Sequence, residues 1–538
     1  MADPKAQTPR DSGTFDKERP IDFDAEKGQQ SDLDGATIHE APSERGMSAG
    51  SDGIKEKGII DETTEQYQDP NIVDWDGPND PENPMNWPEK KKWLNVAVLS
   101  ILTIITPLGS SMFAPGIQKI LTEFKEDSRI TATFLVSIYI LGFAFGPLLV
   151  APLSEMYGRA PLYNVGNILF TLFTVGTALS QNTGMLLAFR FLMGLAGSVP
   201  ITIGSGSIAD CMTMENRGKA MSAWALGPLL GPCIGPIAGG YLIRAAGWRW
   251  VFWLIVIVGG CLIPFSFFCL RETYAPVILE RKAARLRKET GNPNLRSKLA
   301  SRVGGLETFK IAIARPMKLL IFEPIITLMS LYVAITYGIL YMMFTTFNFV
   351  YPWRYGFDEG TVGLAYLPTG IGMMIGVGLC GWLSDKVVKD NQAKGNVHRP
   401  EVRLMPWFNI PCGLLLCAGL FIYGWTVQYR VHWIVPMLGV LIFCGALMGI
   451  MMSVQSYLLE AFLSQAASVT AALAVLRSLL GALLPLGALD LYQSKLEFGW
   501  GNSLLGFIAL ALVPIPLIFY IYGEKLRKKS RFNKPAAN

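Results

Sequence analysis

Charged side chains embedded in apolar segments are the residues of this chain with chemistry to offer. Arg190 lies about six residues into an apolar stretch at 185–209, roughly 9 Å deep at about 1.5 Å per residue. Arg477 lies within a second such stretch at 467–490, and Glu460 closes Gln455-Ser456-Tyr457-Leu458-Leu459-Glu460 at the end of a third. A charge in hydrocarbon costs at least about 3 kcal/mol unless it faces a cavity or a partner. Such groups suit proton uptake and charge-driven switching. Arg190 either tunes a nearby acid or positions a carrier group; its alternative is to snorkel to the interface. Arg477 is deep enough to need a partner, with Glu460 or a backbone carbonyl as the candidates. Glu155 and Arg159 flank the tight Tyr157-Gly158 turn, and Arg217 follows the apolar stretch 185–209 on the same side. We expect Glu155 to pair with Arg217 in the outward-facing shape and to release it in the inward-facing one; the alternative is a charge cluster that sets topology. Asp385-Lys386 repeats the acid and base in the second half. His39, His398 and His432 all lie outside the interior of the apolar stretches, which argues against a histidine relay.

A second motif is mechanical. Gly227, Gly231, Gly235 and Gly239 recur every four residues and form one bare stripe on a helix, with Gly240 adjoining. Such a stripe lets a neighbouring helix approach backbone to backbone. Pro228, Pro232 and Pro236 remove donors from the same helix and bend it.

These residues need membrane-spanning elements to hold them. The chain of 538 residues is 51% hydrophobic and 17% charged, with a net charge of +5 that argues against nucleic acid as a partner. Apolar windows of about 20 residues fall at 93–114, 131–150, 161–180, 185–209, 219–242 and 249–270. Six more fall at 319–345, 361–383, 404–424, 433–455, 467–490 and 502–522. The fold class is therefore an all-α polytopic membrane protein of twelve helices in two six-helix bundles, 93–270 and 319–522. Residues 1–92 are polar and acidic and are expected to form a disordered tail. The linker 271–318 holds twelve Lys and Arg, with Ala283 and Leu286 at helical spacing, and is expected to carry an amphipathic helix along the membrane surface. A basic tail closes the chain at 523–538. An even number of spans places both termini on one face, and the excess of Lys and Arg in the loops of that face makes it cytoplasmic. Leu153-Ser154-Glu155 and Leu383-Ser384-Asp385 occupy matching places in the two halves, the layout of an alternating-access transporter.

These motifs carry a family resemblance over roughly 90–525. The chain resembles the major facilitator superfamily in Glu155, Gly158 and Arg159 and in Phe189-Arg190-Phe191-Leu192-Met193-Gly194. Its glycine-proline segment (Gly227, Gly231, Pro232, Gly235, Pro236, Gly239, Gly240) is similar to the fifth-span motif of drug:proton antiporters. Asn83-Pro84-Met85-Asn86-Trp87-Pro88, Glu272-Thr273-Tyr274-Ala275-Pro276 and Pro400-Glu401-Val402-Arg403-Leu404 resemble markers of the fungal twelve-span group. The resemblance implies a proton-coupled antiporter for drugs, antifungals or secondary metabolites, with Arg190 in proton coupling. Ala160 stands where the family loop has a second basic residue.

For the substrate, Tyr337, Tyr341 and Phe344 share a helical face able to stack flat compounds, with Gln455 and Tyr457 as further cavity candidates. No Walker loop, metal-ligand cluster or Cys-x-x-Cys pair is present, so an enzyme, a cofactor and a metal are not expected. The expected partners are an amphipathic small molecule, protons and the bilayer, for a monomer in the plasma membrane or, alternatively, the vacuolar membrane. A proton symporter and a non-transporting sensor of the same fold are the alternative functions.

Overall fold

A computed structural model describes residues 71–299, 305–393 and 399–529. The first bundle comprises span one (Glu89–Ser111), span two (Arg129–Tyr157) and span three (Arg159–Ala178), then span four (Thr183–Cys211), span five (Met214–Ala246) and span six (Trp248–Cys269). The second comprises span seven (Pro324–Tyr355), span eight (Leu367–Ala393), span nine (Pro406–Gln428), span ten (Ile434–Ala461), span eleven (Ala466–Leu483) and span twelve (Glu497–Leu512, continued by Pro514–Lys529).

Local chemistry sets the boundaries. Ser128 and Asn182 cap spans two and four by accepting from the N–H groups of Thr131 and Met185 at 3.3 and 2.8 Å. Pro324 and Pro406 begin spans seven and nine, where a missing donor costs nothing. Eleven of the described helices are long and apolar enough to cross a bilayer. Span three completes the bundle but is less apolar, because Asn167, Thr171 and Thr174 lie on it. They are buried inward and bonded: Thr171 and Thr174 donate to carbonyls one turn back at 2.8 and 2.6 Å. Val165, Ile168, Leu169 and Leu172 form its exposed apolar face.

The two bundles pair their helices alike. Span two packs on span four and span eight on span ten; span one packs on span five and span seven on span eleven. Across the bundles, span two meets span eleven, and span five meets the start of span eight with the short helix Glu359–Leu364 before it.

Several boundaries depart from the sequence expectation. Span two runs to Tyr157, where Gly158 at φ 97° ends it. Span seven starts at Pro324, because Glu323 and Pro324 break it from the preceding helix, Gly305–Phe322. Span eleven passes at Pro485 into a 3-10 turn and the short helix Ala488–Gln493. The linker helix runs Ala275–Thr290 and buries Leu279, Lys282 and Ala283. Residues 71–92, expected within the disordered tail, have defined structure; residues 1–70 lie outside the described residues. Ile72–Val73 pairs in parallel with Arg296–Ser297. Asp80 and Asp76 accept from Lys282 at 3.2 and 2.7 Å. Burial alone would push the Asp80 carboxyl up, but the N–H groups of Asp76 and Glu82 and the Lys282 ammonium outweigh it and hold it below its ordinary value. This segment lies against the linker helix because it neutralises that helix's buried lysine.

Candidate functional site

Span five presents its glycine stripe to span one. A Cβ on Gly227 would lie 2.9 Å from the Thr103 backbone, on Gly231 2.5 Å from Pro107, on Gly235 2.6 Å from Ser111, and on Gly239 1.7 Å from the Met112 carbonyl oxygen. The two backbones touch along about three turns, as the four-residue period requires. The helix also meets the second bundle. A Cβ on Gly363 would lie 2.4 Å from the Pro236 carbonyl, one on Gly370 2.5 Å from Cys233, and one on Gly240 2.3 Å from the Glu359 carbonyl. Span five is thus wedged between its own bundle and the other, with small residues on both seams.

Arg190 does not snorkel. It is wholly buried, and its guanidinium donates to the carbonyls of Leu135, Gly109 and Ser110 at 2.7, 3.3 and 3.0 Å. The Phe113 ring lies 3.8 Å from it. Gly109 and Ser110 end the first helix, so their carbonyls lack helical donors and carry its negative dipole end. Among the described residues Arg190 has no carboxylate partner. It joins spans one, two and four through backbone oxygen.

The face at which span one begins and span twelve ends holds two matching charge clusters. In the first bundle Arg159 Nε donates to Asp210 Oδ2 at 2.5 Å and Nη1 to Ser154 Oγ at 3.5 Å. In the second, Arg403 Nε donates to Glu460 Oε1 at 2.8 Å and Nη1 to Ser384 Oγ at 2.6 Å. Serine, arginine and acid therefore recur in the same wiring. Glu272 completes the first cluster by accepting from the N–H groups of Arg159 and Ala160 at 2.9 and 3.3 Å, at the start of span three. Gly158 must be glycine twice over: its φ is 97°, and a Cβ would lie 2.2 Å from Glu272 Oε2. In the second cluster Arg527, in the last turn of span twelve, donates to Glu401 at 3.3 Å.

Glu155 and Arg217 stand apart in this structure, the arrangement expected of the inward-facing shape. Glu155 is exposed, and Arg217 donates to the Ala209 and Met212 carbonyls at 2.9 and 3.5 Å. The helix breaks at Gly158, so one-turn spacing no longer relates Glu155 to Arg159, and the latter turns toward span four. Asp210 and Glu272 are the acids that hold the loop. The side chain of Asp385 lies outside the described residues. Asp210→Asn should lower the transport rate about tenfold, and the double exchange Arg159→Asp with Asp210→Arg should recover part of it. Initial rates in membrane vesicles check this; unchanged Asp210→Asn activity would remove the pair from the mechanism.

Toward the seam between bundles, span seven carries an aromatic ladder. Ring centroids are 5.0 Å apart for Tyr337 and Tyr341, 5.4 Å for Tyr341 and Phe344, and 5.5 Å for Phe344 and Tyr366. Gly481 of span eleven packs on Tyr337 and on Ile140 of span two. Arg477 is not held by Glu460. Its guanidinium lies 4.9 Å from the Tyr337 ring centre and 3.9 Å from Met451 sulfur, while its buried Nε has no hydrogen-bond acceptor. Gln455 lies one turn beyond Met451 on the same helical face and is half-buried. Tyr457 is misplaced in the expected cavity. Two residues on from Gln455 it faces elsewhere, its hydroxyl 2.9 Å from where a Gly523 Cβ would lie, beside Glu401.

At the opposite face three ion pairs join the bundles. Arg244 meets Asp358 at 2.8 Å, Lys119 meets Glu359 at 3.3 Å, and Arg129 meets Asp490 at 3.6 Å. All are exposed but for the half-buried Glu359, and each is worth about 0–1 kcal/mol. They mark a closed end without determining its stability.

Twelve helices in two like-wired bundles, with charged loops on one face and a closed seam on the other, define a multi-pass membrane transporter. The family model "Major Facilitator Superfamily" matches residues 99–485, and the chain belongs to that superfamily, among its fungal efflux-type transporters. It is 52% identical over 471 residues to "Efflux pump radE" of Floropilus chiversii, covering 87% of both chains. It is 48% identical over 482 residues to "MFS-type transporter penM" of Penicillium rubens, covering 90% of this chain and 93% of that one. Among solved structures, the inward-open xylose transporter XylE from E. coli superposes with a TM-score of 0.59 at 15% identity, over 80% of this chain and 96% of that one. An inward-facing bacterial homologue of the lysosomal transporter Spinster gives 0.57 at 14% identity, over 84% of this chain and all of the other.

Proposed function

We propose that this transporter exports amphipathic small molecules, drugs or secondary metabolites, in exchange for protons by alternating access. The observation that carries the reading is span five, bare on two sides and closely packed against both span one and the opposite bundle. Small-residue seams let helices slide without unpacking large side chains, and three prolines let this helix flex. With the termini on the cytoplasmic side, the salt-bridged face is the outer one and the shape is inward-facing. The relative named an efflux pump supports the direction of transport.

The proton would act at the paired carboxylates. Asp210 and Glu460 each hold an arginine across a helix junction, and protonation would neutralise the acid and loosen that hold. Arg190 would serve as the fixed post that keeps span one in place while these junctions move.

Arg477 refines the substrate. A half-buried guanidinium with an unpartnered Nε beside an aromatic ladder suits a flat compound bearing a carboxylate or phenolate. The test uses cells expressing the protein and loaded with a fluorescent aromatic acid or its methyl ester. Export of both should stop with a protonophore. Arg477→Gln should slow export of the acid about tenfold and leave the ester within about threefold. Equal slowing of both would remove the charge-recognition role, and export insensitive to the protonophore would overturn proton coupling.

A further inference from the structure

A second recess lies on the face of the two charge clusters, next to Glu272 and away from the seam between bundles. It is an open recess of about 500 Å³ bordered by Pro81, Glu82 and Trp87, by the start of span one, by Arg271 and Glu272 just past span six, and by the linker helix. Its roof exists because the strand pair Ile72–Val73 with Arg296–Ser297 and the Asp80–Lys282 bond hold the chain over the linker helix.

The recess is unevenly charged. Lys91, Arg271, Arg281, Lys282 and Arg285 line it, against Glu82 and Glu272. Most of that charge is already engaged. Lys282 is held by Asp76 and Asp80, Arg285 by Glu82 at 3.3 Å, and Glu272 by backbone N–H groups. Lys91 and Arg271 both line the recess, and among the described residues neither has a carboxylate partner. Lys91 lies 3.9 Å from the Trp87 ring centre. Two cations lining one recess without carboxylate partners repel each other unless an anion enters it, and a phosphate suits an arginine and a lysine together.

The surroundings identify the source of that phosphate. Trp93 and Leu94 are exposed on span one just past Lys91, and Phe267 and Phe268 at the end of span six are 67% and 73% exposed. Exposed aromatic rings next to a basic recess at a helix end mark the bilayer interface, where acyl chains lie below and headgroups at the level of the charges. We propose that this recess binds the phosphate headgroup of an anionic phospholipid, with Lys91 and Arg271 on the phosphate, Arg281 at the rim and the acyl chains along Phe267, Phe268 and Leu94.

The test uses the full chain purified in mild detergent and exposed to equimolar phosphatidylcholine, phosphatidic acid and phosphatidylinositol 4-phosphate. Bound lipid is read by native mass spectrometry. The wild type should retain an anionic lipid about tenfold over phosphatidylcholine. The Lys91→Ala, Arg271→Ala double variant should lose that preference, whereas Lys525→Ala with Lys528→Ala, on the same face, should keep it. A photoactivatable phosphatidic acid on the wild type should label peptides containing 87–94 and 267–281, a readout that does not depend on any variant folding. Unchanged retention by the double variant, or labelling elsewhere, would overturn the proposal. Inositol phosphate or inorganic phosphate displacing the lipid at equal concentration would assign the recess to a soluble anion instead.

Discussion

Gly239→Ala should reduce transport at least tenfold while the protein still inserts in the membrane. The added methyl would lie 1.7 Å from the Met112 carbonyl oxygen, against backbone that has no rotamer to change. Spans one and five would have to separate by well over an ångström, opening the seam for turns on either side. Dispersion contacts fall off steeply over such a gap. Gly260→Ala is the control: it is also helical, nothing lies within 4 Å of its Cβ position, and alanine favours the helix. Initial transport rates and thermal unfolding of both variants check the argument. Wild-type rates in Gly239→Ala would show that the seam tolerates separation and plays no part in the cycle.

Arg190→Lys should be nearly as damaging as Arg190→Ala. The guanidinium reaches three carbonyls on two helices at 2.7–3.3 Å, a fan that a single ammonium on a flexible stem cannot reproduce. Each buried acceptor left without a donor costs about 1–3 kcal/mol, so the loss is several kcal/mol even with the charge retained. Both variants should unfold at clearly lower temperature and lose most transport. Full activity of Arg190→Lys would mean that positive charge alone is required there, and that anchoring of span one is incidental.

The membrane-spanning plan was legible because a bilayer demands about twenty apolar residues at each crossing. Span three is the instructive case: its polar residues dilute the apolar signal, yet each is satisfied inside the bundle. The glycine stripe was legible as a period, and the structure seats each of Gly227, Gly231, Gly235 and Gly239 on span one. The depth of Arg190 could be read from its position, but its partners could not. Backbone carbonyls at a distant helix end leave no mark on the sequence around an arginine.

Asp210 was missed for a related reason. An acid at a helix end is common, and only the turn at Gly158 brings Arg159 onto it. The repeat held a usable signal, since Asp210 stands at the end of span four where Glu460 stands at the end of span ten. Glu272 and Arg403 lay within segments noted only as family markers. Gln455 and Tyr457 cannot share one cavity face, since a two-residue step turns a side chain about 200° around the helix. Residues 71–88 read as tail by composition, because their order depends on Lys282, some 200 residues away.

The central claim is exchange of compound against protons, and purified protein in sealed vesicles tests it most directly. With the vesicle interior made acidic, and with protein of known orientation, a labelled amphipathic compound should accumulate as protons leave. A protonophore and Arg190→Ala should each abolish that movement. Accumulation driven instead by an alkaline interior, with compound and protons entering together, would contradict the account and make the protein a symporter.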